Sequence, residues 1–214
     1  MRSRALLYAS VAASAVYLLT GKWQPFPGSA AVKGCAVGAL AALALRSRGV
    51  RRDAGVLSLG LALSTAGDVL LDLDPRLFAF GLGAFLLAHL TYICLFVRNR
   101  AAGIRLDPPH LAGVLLVLVY SATLALWIVP SVGELALPVI LYICALTTMV
   151  CSAILARFQQ RWVAVGAILF LVSDSLLAIH RFKTPVPLHD YVVWTTYYLG
   201  QGGIALGYLG SGNY

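Results

Sequence analysis

"LFLVSDSLLAIH", residues 169–180, reads as an apolar helix with an aspartate in its middle. "STAGDVLLDL", residues 64–73, has the same character. Whether such runs cross a bilayer decides both the fold and the meaning of the carboxylates. Of the 214 residues, 60% are hydrophobic and 11% charged, against about one quarter charged in a soluble domain. A soluble domain of this length cannot hide so much apolar surface, because surface-to-volume scaling leaves too much of it wet. The apolar runs also approach the roughly 20 residues that span a hydrocarbon core at about 1.5 Å per residue. The chain reads as all-α, a single polytopic transmembrane domain over residues 1–214.

Eight spans are predicted: 5–20, 30–45, 54–71, 77–97, 110–128, 133–156, 162–179 and 191–209. Proline or glycine marks the breaks "GKWQPFPGS", "DLDPR", "LDPPH", "VPSVGE" and "KTPVPLHD". The connections are short, so consecutive helices are expected to pack as antiparallel neighbours. The basic residues are unevenly shared. Arg2, Arg4, Arg46, Arg48, Arg51, Arg52, Arg98, Arg100, Arg105, Arg157 and Arg161 fall on one side; Lys22, Arg76, Arg181 and Lys183 fall on the other. The positive-inside rule then places both termini in the cytoplasm of a multi-pass integral membrane protein. The net charge of +8 is mostly this topological signal. Membrane lipid headgroups are the expected contacts of these arginines, and nucleic acid is not a partner, because no soluble module presents them. The basic, apolar start is read as a retained first helix rather than a cleaved signal. Cys35, Cys94, Cys144 and Cys151 fall within spans without metal-ligand spacing, and are expected to be small packing residues.

Ionisable groups inside spans cost several kcal/mol and are functional candidates. Asp68, Asp174, Lys33 and His89 are of this kind. Spans three and seven run in the same direction. Asp68 and Asp174 both fall about 5 to 8 Å below the outer boundary, counting about 1.5 Å per residue. Lys33 opens span two on that side. Tyr142 enters about a third of the way down span six. His89 and Tyr92 lie near the middle of span four, as do Tyr197, Tyr198 and Gln201 in span eight. The expectation is a polar pocket open to the outer half of the bilayer, with Asp68 and Asp174 facing it and Tyr198 and Gln201 on its wall. The bland alternative is that these groups are interhelical hydrogen-bond staples. "AGDVLLDL" and "VSDSLLAI" share small-Asp-x-Leu-Leu, which suggests two four-helix halves related by a parallel pseudo-repeat.

"GDVLL" in span three, "GLGAFLLAHLTYI" in span four, "GAILFLVSDSLLAIHRF" in span seven and "YYLGQ" in span eight resemble the YhhN-like lysoplasmalogenase family of integral membrane proteins. The resemblance runs from Lys33 to the end. It implies an eight-span helical hydrolase that cleaves the vinyl ether bond of lysoplasmalogens, releasing a fatty aldehyde and a glycerophospho-base. It also implies that the aspartates of the "GD" and "SD" motifs, here Asp68 and Asp174, are the catalytic pair. Where the family often has Lys-Pro early in span two, this chain has "VKGC".

The implied reaction needs a proton delivered to carbon, an oxocarbenium ion attacked by water, and collapse of a hemiacetal. Two neighbouring carboxyls in an apolar medium share a proton as a coupled pair. One then serves as general acid; the other stabilises the cation and activates water, as in glycoside hydrolysis. Gln201, Tyr198 and His89 are candidates to orient water or glycerol oxygens, with Tyr92, Tyr142 and Tyr197 as supporting residues, and Lys33 suits the lipid phosphate. No cofactor is implied. The competing reading is a proton- or ion-coupled small-molecule transporter using the same aspartates, although the polar set gathers toward one side and alternating access favours the midplane. A metal-dependent hydrolase using His89, His180, His189 and an aspartate is a third reading, disfavoured because these histidines lie on different elements.

Overall fold

The structure is a computed structural model and describes residues 2–20, 26, 28–99, 107–156, 158 and 160–210. Lys22, Arg100, Arg105 and Arg157, four of the charges used to read orientation, lie outside the described residues. The described chain forms eight α-helices: α1 (Arg2–Leu19), α2 (Ser29–Arg46), α3 (Ala54–Leu73), α4 (Phe78–Arg98), α5 (Pro108–Ile128), α6 (Ala136–Leu155), α7 (Trp162–Phe182) and α8 (His189–Gly210). Among the described residues, six helices, α2 through α7, are long and apolar enough to cross a membrane. The apolar stretch of α1, Ser3–Leu19, is shorter. Helix α8 has 22 residues, but His189, Asp190, Gln201 and several tyrosines dilute its apolar character. The protein is a multi-pass integral membrane protein.

The ends of the helices follow local chemistry. Pro108 opens α5, where a missing N–H is harmless. Helix α3 continues to Leu73, two residues beyond the predicted end, which brings Asp72 onto the helix. Asp74 ends it in extended backbone, and its carboxylate accepts from the Arg76 N–H at 2.8 Å and from the Arg76 guanidinium at 2.7 Å. The Arg76 side chain holds the Asp74 carboxyl below its ordinary range. The membrane-length run Gly133–Leu155 begins where the predicted sixth span does, with Gly133–Leu135 forming a short turn ahead of α6.

Helices α1 to α4 pack in sequence, each on the next. Helices α7 and α8 form the most intimate pair, and α8 also reaches α1, α2 and α3. A Cβ on Gly166 would stand 2.6 Å from the Gly200 carbonyl oxygen, and one on Gly203 would stand 3.0 Å from Gly166 Cα. Small residues let these two backbones touch, a common membrane packing device. The expected side-by-side packing of consecutive helices fails at one place. Helices α4 and α5 barely touch; both pack on α6 instead. The nine-residue connection from residue 99 to residue 107 is long enough to let a third helix take the intervening position. The cysteine expectation also needs correcting. Cys35, Cys94 and Cys144 lie on the outside of the bundle, where a thiol is apolar enough to face lipid, rather than in its packed interior.

Candidate active site

Alternating helix direction brings the C-terminal halves of α3 and α7 to the same end of the bundle as the N-terminal halves of α2, α6 and α8. Asp68 and Asp174 therefore meet at one level. They line a single cavity of about 390 Å³ with Lys33, Asp72, Trp194 and Tyr197. Asp190 and His189, at the start of α8, complete its rim.

Asp68 is buried, 2% exposed. Tyr197 Oη donates to its Oδ2 at 2.6 Å. One turn along α8, Gln201 Nε2 donates to Tyr197 Oη at 3.3 Å. Tyr92 Oη, from α4, donates to Gln201 Oε1 at 2.7 Å. These three bonds all point the same way, from Tyr92 through Gln201 and Tyr197 to the carboxylate, and such aligned bonds polarise one another. Gln201 and Tyr92 thus stand behind Tyr197 rather than on the cavity wall.

Asp174 has a separate set of partners. Tyr142 Oη, from α6, donates to its Oδ2 at 2.5 Å. His89 Nε2, from α4, stands 3.6 Å from the same oxygen, too far for a hydrogen bond. The His89 ring is fully buried, and its edge-to-face contacts with Tyr142 and Phe170 both have centroid separations of 5.0 Å. Among the described residues neither of its nitrogens has a hydrogen-bond partner.

A third carboxylate, which the sequence reading passed over, lies one turn beyond Asp68. Asp72 accepts from Tyr17 Oη at 2.7 Å and from Ser29 Oγ at 2.5 Å, and Lys33 Nζ lies 4.0 Å from it. The Lys33 ammonium also stands 5.4 Å from the Tyr17 ring centroid and 5.8 Å from that of Trp194. The i, i+4 spacing of Asp68 and Asp72 in "GDVLLDL" was the available signal, since residues four apart share a helix face. Tyr17 and Trp194 left no such mark.

Tyr198, expected on the pocket wall, is elsewhere. Its hydroxyl pairs with Ser10 Oγ at 2.8 Å, and it lines a groove walled mainly by α1, α7 and α8. A residue one position from Tyr197 on a helix is turned about 100° away from it. His180 and His189 stack on each other with centroids 3.8 Å apart, far in the chain from His89. Among the described residues no three His, Cys, Asp or Glu side chains come together as a metal-ligand set.

The fold and the cavity define a helical membrane protein with paired carboxylates at one end of its bundle. The chain belongs to the YhhN family, whose sequence profile matches residues 28–208. A protein named lysoplasmalogenase from Mycobacterium tuberculosis is 39% identical over 175 residues, covering 79% of this chain and 66% of that protein. Lysoplasmalogenase TMEM86B of Sus scrofa is 35% identical over 150 residues, covering 68% of this chain and 60% of the relative. The human TMEM86B is 33% identical over 151 residues, with 71% and 62% covered. The match thus spans a little under two thirds of the length of these curated relatives. No solved structure matches the chain.

Proposed function

We propose that this chain is a membrane hydrolase that cleaves the vinyl ether bond of lysoplasmalogens to a fatty aldehyde and a glycerophospho-base. The observation that carries this reading is the shared cavity of Asp68 and Asp174, in a chain similar to proteins named lysoplasmalogenase. One carboxyl of the pair gives its proton to the outer vinyl carbon, and the double bond becomes an oxocarbenium ion. The ionised partner steadies that cation and takes a proton from the attacking water. The hemiacetal then returns its hydroxyl proton to the first carboxylate. The second carboxyl protonates the departing glycerol oxygen, the C–O bond breaks, and both aspartates are restored. Every proton in this cycle belongs to a carboxyl or to water.

The remaining polar groups have supporting roles. Tyr197, held by Gln201 and Tyr92, fixes one Asp68 oxygen and leaves the other free for water. Tyr142 does the same for Asp174, and His89 packs against Tyr142. Lys33 and the Tyr17 and Trp194 rings line the outer part of the cavity, where a phosphate and its base would sit. We assign eight spans with both termini cytoplasmic. The arginine distribution supports this, and so does the packing of α1 on α2 and of α8 on α2, α3 and α7, three of the six apolar helices. The recurrence of small-Asp-x-Leu-Leu in α3 and α7, each giving a carboxylate to the one cavity, suits two halves in parallel repeat. The test is to incubate purified protein with a panel of lysolipids and look for aldehyde by mass spectrometry. Aldehyde from alkenyl lysolipids alone is expected. No aldehyde from any of them removes the hydrolase reading and favours the transporter.

A further inference from the structure

A second, smaller chamber adjoins the polar cavity. Its void is about 60 Å³. Helices α4, α5, α6 and α7 wall it with side chains such as Phe78, Leu82, Ile128, Val139 and Ala178. Its lining is almost entirely apolar; Asp174 is its one acidic residue. Leu71, Phe85, Asp174 and Leu177 belong to both chambers. Asp174 therefore stands at a partition with a polar space on one side and an apolar one on the other. The polar space holds Asp68, Asp72 and Lys33, and the apolar space holds none of them.

We infer that the apolar chamber receives the alkenyl chain of the lipid substrate, so that the vinyl ether lies across the partition with its headgroup in the polar cavity. This rests on the hydrolase reading above. A lysoplasmalogen has one apolar chain joined to one polar headgroup through the scissile bond, and the two chambers joined at a carboxylate match that order. The void is roughly four to six times the space of about 10–15 Å³ that admits one water. It takes the carbons next to the double bond, and the rest of the chain must leave it.

This orientation divides the pair. In a vinyl ether the nucleophilic carbon is the one that carries the chain. With the chain in the apolar chamber, that carbon faces Asp174, and the ether carbon and glycerol oxygen face the side of Asp68. Asp174 is then the group that delivers the proton to carbon. Tyr142 occupies its Oδ2 and leaves Oδ1 to carry that proton. Asp68 is the group that activates water and later protonates the glycerol oxygen.

Two measurements test the orientation. The first compares aldehyde release from a lysolipid with a 16-carbon alkenyl chain and from a short-chain analogue with a two-carbon vinyl group, which puts no chain carbon into the chamber. Ser121→Leu and Ala178→Leu fill the chamber from α5 and α7 without touching the polar cavity. Each should lower the ratio of long-chain to short-chain kcat/KM by at least about tenfold, the scale on which apolar pockets discriminate methylenes. An unchanged ratio overturns the assignment. The second measurement needs no turnover and no variant. A lysolipid with a saturated ether chain bearing a diazirine near the ether should crosslink the unmodified protein at residues 78–85 or 121–128. Crosslinks confined to other helices overturn the assignment, whether or not the protein hydrolyses vinyl ethers. Absence of aldehyde from both chain lengths together with crosslinks at 78–85 or 121–128 supports the chamber and removes the hydrolase.

Discussion

Three of the four aspartates at the cavity, Asp68, Asp174 and Asp72, keep different company. Asp68 receives one tyrosine hydroxyl that is itself held by an amide; Asp174 receives one tyrosine, with a histidine nitrogen 3.6 Å away; Asp72 receives a tyrosine, a serine and a lysine. Asp72 is the most fully partnered, which suits a fixed anion that holds Lys33 in place. Among the described residues Asp68 and Asp174 each keep an oxygen without a hydroxyl donor, which suits groups that exchange protons. Tyr197→Phe removes a hydrogen bond to a charged acceptor, an interaction worth about 1.5 to 3 kcal/mol. We expect kcat to fall by roughly ten- to a hundredfold, measured as aldehyde release at saturating lipid. Lys33→Met should act differently. If its ammonium meets the phosphate equally in ground and transition states, KM rises while kcat holds. A drop in kcat without a change in KM would move Lys33 from headgroup binding to the chemistry.

Helix α8 determines whether these groups meet, because Trp194, Tyr197 and Gln201 all ride on it. Its position is fixed by the glycine seam with α7. Gly166→Ala places a methyl 2.6 Å from the Gly200 carbonyl oxygen, and backbone cannot yield as a side chain can. The expected destabilisation is about 1 to 3 kcal/mol, read as a lowered unfolding temperature in detergent. Ala substitution at Gly202, whose Cβ would meet nothing within 4 Å, is the matched control and should change little. Much of the element-level picture was readable in the sequence. Helix limits set by proline and glycine gave the depths of Asp68 and Asp174, and equal depth is what let both line one cavity. Three things were not readable. The predicted third span stops at Leu71, one residue short of Asp72, because the proline and aspartates of "DLDPR" signal a break there. The rotation of α8 decides between Tyr197 and Tyr198, and an apolar helix with polar residues on several faces does not reveal its inward side. The separation of α4 from α5 depends on α6 packing between them, a tertiary preference with no local signature.

The molecule as a whole carries its charge asymmetrically. Arg46, Arg48, Arg51 and Arg52 cluster where α2 passes to α3, at the opposite end from the cavity. Arg98 lies at the same end, paired to Asp53 at 2.8 Å. If the arginine end is cytoplasmic, the cavity faces the other side of the membrane. A cysteine introduced at Arg48 in a background without Cys35, Cys94, Cys144 and Cys151 should react with an impermeant maleimide only after the cell is opened. Reaction from outside in intact cells would invert the topology and turn the cavity toward the cytoplasm.

The central claim is that one carboxyl from α3 and one from α7 act together as acid and base on a vinyl ether. Its most direct test is aldehyde release by the unmodified protein, Asp68→Asn and Asp174→Asn on the same lysoplasmalogen, with lipid binding measured alongside. Asparagine keeps the shape and cannot cycle a proton. Each variant should lose about 10² to 10⁴ in kcat, the usual contribution of general acid–base catalysis, while it still folds and still binds lipid. The pH–rate profile of the unmodified protein should be bell-shaped, because activity needs one carboxyl protonated and the other ionised. Near-normal turnover in both variants, beside a wild type that releases aldehyde, would contradict the account and make the two aspartates structural.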